Sequence, residues 1–163
     1  MNKRGSKILR ALWLLPAALW LIVIFHFSGQ SAEESGALSS SIAEKILEPV
    51  PELEIGLTTM DLILRKSAHF GIFAVEGFLL CMGLQMLRRE RRGNALIASA
   101  ICAILAVLNE LHQLTAIDRA CSVGDMALDF CGALSGVILA VMVYCTVREL
   151  QRRSILRRKI NHF

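Results

Sequence analysis

The compact signatures of common catalytic sites are missing from this chain. It has no HExxH zinc-ligand pair, no GxSxG nucleophile elbow, no Walker loop and no GxGxxG fingerprint. Zinc-protease, serine-hydrolase, P-loop and dinucleotide-binding chemistries therefore have no local support. The five cysteines do not form a pairing pattern. Cys81, Cys102 and Cys131 fall within apolar runs and Cys145 near the end of one, which leaves Cys121 without a partner for an exported disulfide. No internal repeat is visible, which weighs against an inverted-repeat transporter. No small-x-small cleavage site closely follows the first apolar run, so that run reads as a retained span rather than a removed signal peptide.

What the chain has in abundance is apolar sequence: 55% of its 163 residues are hydrophobic, and mean hydropathy is +0.54. Four runs account for this: Ile8 to Phe27, Ser67 to Leu87, Asn94 to Leu111 and Val123 to Thr146. About 20 helical residues cross a bilayer, and backbone groups in lipid must be satisfied within their own segment. The fold class expected is all-α, an integral membrane four-helix bundle.

Basic residues set the expected orientation. Lys3, Arg4, Lys7 and Arg10 precede the first run, and Arg88, Arg89, Arg91 and Arg92 lie between the second and third. Arg148, Arg152, Arg153, Arg157, Arg158 and Lys159 follow the fourth. All of these belong on one side, so both termini are expected in the cytoplasm, with the tail on anionic lipid headgroups. The net charge of +4 thus reports topology and gives no reason to expect nucleic acid. Residues 1–147 read as one membrane domain and 148–163 as a basic cytoplasmic tail.

Between the first two spans, SGQSAEESGALSSS is polar and turn-rich. Leu38, Ile42, Ile46 and Leu47 then recur at helical spacing up to Pro49 and Pro51. This predicts a short external amphipathic helix, either lying on the membrane surface or packed over the span ends. Thr58 and Asp61 are spaced as a capping box for the second span, with Leu57 and Leu62 as a hydrophobic staple. The RRERRGN segment predicts a tight turn between antiparallel neighbours.

Charge returns where a bilayer makes it expensive. Arg65, His69, Ile72 and Glu76 share one face of the second helix, with Lys66 on its flank. Glu76 lies about 10 Å deeper than His69 by helical rise. Glu110 and Gln113 share a face at the end of the third helix, and Arg119 follows in the connection. Asp125, Asp129, Gly132 and Gly136 form a single stripe on the fourth, the glycines being a small-xxx-small packing pair. The candidate ligand-binding set is therefore Arg65, Lys66, His69, Glu76, Glu110, Gln113, Arg119, Asp125 and Asp129, lining an outward-facing polar cleft. Structural roles compete: Ser122 and Asp125 form a capping box, Arg119 can neutralise a neighbouring carboxylate, and a lone His112 is ordinarily structural. Glu76 and Asp129 resist that reading, because an ionised group at mid-membrane costs about 3 kcal/mol or more. Glu110, Asp125 and His69 are the acid–base candidates, and Arg65, Lys66 and Arg119 suit a phosphate. The spacing supports neither a metal site nor a cofactor.

These residues resemble the VanZ-like family of small bacterial membrane proteins. The resemblance runs through Phe25-His26-Phe27-Ser28-Gly29-Gln30 with Ser35 and Ser39, through Arg65-Lys66-Ser67-Ala68-His69-Phe70, and through Glu110-Leu111-His112-Gln113 with Arg119, Ser122, Asp125, Asp129, Gly132 and Gly136. That last block, close to E-x-x-Q…R-x-x-S-x-x-D-x-x-x-[ND]-x-x-G-x-x-x-G, is the most specific. Ile117-Asp118 stands where the family often has Pro-Gly, and Phe73 where a tyrosine is common. The resemblance implies a multi-pass protein of a bacterial plasma membrane, associated with tolerance to the lipid-tailed glycopeptide teicoplanin. The expected partners are membrane lipid and a lipid-linked wall precursor or lipoglycopeptide. An integral-membrane enzyme using carboxylate and His acid–base chemistry on such a lipid is the alternative, and a proton-linked carrier using Glu76 and Asp129 the third reading.

Overall fold

The computed structural model describes residues 10–49, 56–87 and 91–160. All regular structure among them is helical. A 3-10 turn, Leu12–Leu14, leads into α1 (Leu15–Ser28), followed by α2 (Ala32–Leu47), α3 (Leu57–Leu87), α4 (Arg91–Gln113) and α5 (Val123–Ile160). Three helices, α3 to α5, are long and apolar enough to cross a membrane. Leu12–Ser28 and α2 meet that description only together, as a pair bent by 99°, which makes the number of spans three to four. The expected start of the first span, at Ile8, lies outside the described residues.

The bend has a local cause. Ser31 caps α2: its hydroxyl accepts from the Glu34 amide at 3.1 Å, and the Glu34 carboxylate accepts from the Ser31 amide at 3.0 Å. This reciprocal pair starts a helix two residues after Gly29 closes the previous one. Of the stretch expected to be turn-rich, Gly29 to Ser31 make the turn, and the residues from Ala32 onward form the first part of a 16-residue helix. Ser39 and Ala43 form its buried face, while Leu38, Ile42 and Ile46 remain 55%, 43% and 42% exposed. The apolar ridge is therefore left largely uncovered by the rest of the protein. The corner is pinned from the other side of the sequence: the Ala32 amide donates to the Ile117 carbonyl at 3.3 Å, and the Phe25 ring meets His112 edge-on.

α3 begins differently from its expected capping box. The Gly56 carbonyl accepts from the Thr59 and Met60 amides, and Thr58 is an exposed residue of the first turn. Asp61 is drawn away because the Ser39 and Ser40 hydroxyls of α2 and the Arg65 guanidinium converge on it. Leu57 and Leu62 stay 40% and 45% exposed, so no staple forms between buried partners. At its other end the connection is tighter than RRERRGN suggested, since α4 already starts at Arg91. There Asn94 donates to the Leu84 carbonyl and to the Gln85 side chain, both at 3.2 Å.

The closest packing joins α3 to α5, the most extensive interface in the molecule. Gly132 lies on the Phe70 backbone, Gly136 on that of Ala74, and Gly77 on that of Ala133. A methyl group at any of the three would overlap the facing backbone. The small-residue stripe of α5 thus has a counterpart on α3, and the two helices interlock through main-chain contact. α4 completes the bundle with Ala98, Cys102 and Ala106, one small buried residue per turn. α5 continues unbroken through residue 147 to Ile160. At 38 residues it is about 57 Å long, far beyond a ~30 Å hydrocarbon core.

Candidate functional site

A cavity of about 500 Å³ opens where α1, α2 and α3 meet at the end of the bundle that carries the α4–α5 connection. Its walls are largely apolar: Ile24 and Phe27 from α1, Leu38 and Ile42 from α2, and Leu64, Ile72 and Phe73 from α3. Three cationic or ionisable side chains enter this setting, Arg65 and His69 from α3 and Arg119 from the connection. Ser28, Ser39 and Asn109 supply further polar groups.

Arg119 is placed by backbone conformation. The preceding Asp118 has φ of 57°, the left-handed region, and is the only described non-glycine residue there. Where the related pattern often has glycine, an aspartate adopts the conformation glycine favours. Arg119 Nε is buried without a hydrogen-bond partner. Burial pushes its guanidinium below the ordinary arginine value, and the charge of Arg65 adds to that; Glu110 and Asp125 act in the opposite sense. Two like charges therefore oppose one another at one cavity. Arg65 has only partial compensation: its Nε lies 3.3 Å from Asp61 Oδ2 but makes no aligned hydrogen bond.

His69 is held from behind. Its Nδ1 is 3.2 Å from Asp129 Oδ1, and the other Asp129 oxygen accepts from Asn109 Nδ2 at 3.0 Å. Asp129 is fully buried, whereas the His69 side chain is 29% exposed. An ionised carboxylate only accepts, so Nδ1 is a protonated nitrogen; Nε2 then presents a lone pair in the neutral imidazole and a donor in the imidazolium. Asn109 is in turn fixed by its position one residue before Glu110 and by the Ser28 hydroxyl, which donates to its carbonyl at 3.4 Å.

The other residues expected in the site lie outside the cavity wall. Lys66 and Asp125 form an ion pair at 2.6 Å between α3 and the start of α5, with both side chains partly exposed. Ser122 caps α5, its hydroxyl accepting from the Asp125 amide at 3.3 Å, while the Asp125 carboxylate goes to Lys66. Glu110 is fully buried and accepts from the Ser122 amide at 2.8 Å. It thus anchors the α4–α5 connection from within the bundle. Gln113 is buried nearby, its Nε2 without a hydrogen bond. Glu76 is buried toward the middle of α3, with Oε2 unpartnered. Among the described residues no cluster of three His, Cys, Asp or Glu has the arrangement to hold a metal ion.

Asn109, Asp61 and Ser39 take part in the site and were not singled out for it from the sequence. Asn109 had a readable signal, since it shares a helix face with Gln113 at i, i+4 and adjoins Glu110. Asp61 had a misleading one, because its spacing from Thr58 suits a cap.

A family model described as VanZ/LLP1 matches residues 13–144. The chain belongs to the VanZ/LLP1 family. The matched region contains the whole cavity wall and the residues named around it, and it ends within α5 before the basic segment. Comparison of this VanZ/LLP1 chain with curated proteins and with solved structures yields no match.

Proposed function

We propose that this VanZ/LLP1 protein resides in the plasma membrane of a bacterium with both termini in the cytoplasm, residues 1–147 forming its membrane domain and 148–163 a basic tail on the inner headgroups. Its cavity then faces outward and binds the anionic headgroup of a lipid-linked wall precursor or a lipoglycopeptide. The observation that carries this reading is the opposition of Arg65 and Arg119 at one largely apolar cavity, with Arg119 Nε buried and unpaired. A phosphate or carboxylate between them relieves the repulsion and supplies the missing acceptor, in the planar two-point geometry that suits guanidinium groups. The apolar walls accommodate a lipid chain. The carboxylates support an anionic ligand by their commitments, Asp125 to Lys66, Asp129 to His69 and Asn109, and Glu110 to Ser122. Capturing a headgroup or a lipid-tailed drug in this position is a direct route to glycopeptide tolerance.

Native mass spectrometry of the purified chain and its Arg119→Ala variant, each offered lipid-linked wall precursor and teicoplanin, tests this. Bound ligand of unchanged mass, lost in the variant, is the expected outcome. Equal retention by both proteins overturns the assignment of the cavity. One observation favours an enzyme instead: Asp129 holds His69 through Nδ1 and leaves Nε2, an acceptor in the neutral imidazole, in a site otherwise built for anions.

A further inference from the structure

With Nδ1–H bound to Asp129, neutral His69 presents an acceptor nitrogen at Nε2, which a simple anion receptor does not use. A receptor for phosphate needs donors, and a lone pair directed at a phosphate oxygen is repulsive unless that oxygen carries a proton. Yet the fold invests heavily in keeping His69 in this tautomer. Asp129, fully buried on α5, is occupied by His69 on one oxygen and Asn109 on the other. None of Glu76, Glu110, Asp125 or Asp129 lines the cavity, which leaves His69 as the base among its described walls.

We propose that this site hydrolyses the terminal phosphoryl group from a membrane-anchored lipid phosphate or diphosphate, with His69 as the general base. The proposal rests on the anion-binding reading above and adds a reaction to it. Arg65 and Arg119 hold the terminal phosphoryl oxygens, and the lipid chain lies along the apolar wall. A water molecule attacks phosphorus as its proton moves to His69 Nε2. A new P–O bond forms while the P–O bond to the lipid oxygen, or to the bridging oxygen of a diphosphate, breaks; the departing oxygen takes any proton it needs from solvent, and Nε2 returns its proton to solvent. The products are inorganic phosphate and the lipid alcohol, or the lipid monophosphate when the substrate is a diphosphate. Atoms and charge balance with water as the sole co-reactant. Asp129 and Asn109 are positioning residues: they hold the imidazole ring, keep Nδ1 protonated and stabilise the imidazolium that forms transiently.

The experiment uses the full chain in phosphatidylcholine vesicles containing either phosphatidic acid or a polyprenyl diphosphate, with EDTA present. Inorganic phosphate release gives the rate, and native mass spectrometry gives lipid retention. Wild type is expected to release phosphate from at least one lipid, and which one it hydrolyses distinguishes a glycerolipid from a polyprenyl source. His69→Gln is expected to lower kcat by ~10²–10⁴-fold with KM little changed. Asp129→Asn should show the same split, and Arg119→Ala should raise KM. His69 is partly exposed and glutamine can still donate to Asp129, so this variant is expected to fold even where a change at buried Asp129 does not. Retention of lipid by wild type without release, or release at the wild-type rate from His69→Gln, overturns the hydrolysis and leaves the binding reading standing. Failure of wild type to retain either lipid overturns both.

Discussion

Among the described residues, a Lys66–Asp125 ion pair and a His69–Asp129 hydrogen bond cross from α3 to α5, and their surroundings make them unequal. Lys66 and Asp125 are 49% and 35% exposed, so solvent screening leaves the pair worth at most about 1 kcal/mol. Lys66→Ala should therefore shift thermal unfolding in detergent only slightly. Asp129 is fully buried between His69 and Asn109, and removing it strands both partners. Asp129→Ala should cost about 3–5 kcal/mol, with a correspondingly large fall in the unfolding temperature. Comparable losses in the two variants would mean that burial does not rank these contacts. Asp118 permits a finer test. Its left-handed backbone disfavours a plain side chain by about 1–2 kcal/mol, so Asp118→Ala should destabilise the protein while Asp118→Gly should not. Because this residue aims Arg119, the alanine variant should also bind anionic ligand more weakly than the glycine variant.

At the scale of elements, α2 and the α3–α5 pair obey different rules. α2 is held by its cap, by the Ser39–Asp61 contact and by a small buried face, with little apolar surface covered. Local propensity therefore matters to it. Gly36 has no neighbour in the space that a side chain would fill, and Gly36→Ala should stabilise α2 by about 1 kcal/mol. This is measurable as slower amide exchange within Ala32–Leu47. Ser31→Ala should act in the opposite sense by a similar amount, through loss of the cap. In α3 and α5, main-chain proximity decides. Gly132→Val or Gly136→Val forces the helices apart and should destabilise the fold by about 3 kcal/mol or more, above ordinary overpacking, because the facing atoms are backbone and cannot turn aside.

The cavity and the polar groups around it lie at one end of the molecule, and its longest helix extends beyond the other. The proposed orientation puts the cavity and the α4–α5 connection outside the cell. Cys121 is an exposed thiol in that connection and provides the test. In a variant that keeps only this cysteine, a membrane-impermeant thiol reagent should label intact cells. Labelling only after lysis would invert the topology and remove the wall precursor and lipoglycopeptide from the list of accessible ligands.

The apolar runs, their helical character and the stripes of Arg65 with His69 and of Asp129 with Gly132 and Gly136 were legible in the sequence. They rest on local quantities, namely the length needed to cross lipid, the 3.6-residue period and the expense of charge within a bilayer. What a polar side chain faces is a different matter, because one residue along a helix turns the direction by about 100°. Whether a carboxylate meets solvent, an amide or a cation is then settled by partners far along the chain. His69 finds Asp129 sixty residues away, Ser28 reaches Asn109, and Asp61 leaves its expected cap for Ser39 on a preceding helix. Glu110 and Asp125 were natural candidates for the cavity, and tertiary packing turned one to the Ser122 amide and the other to Lys66. The chain by itself determined which residues are too costly to leave unpartnered in a membrane. The fold decided which of them answer one another, and so left two arginines and one histidine to face the cavity.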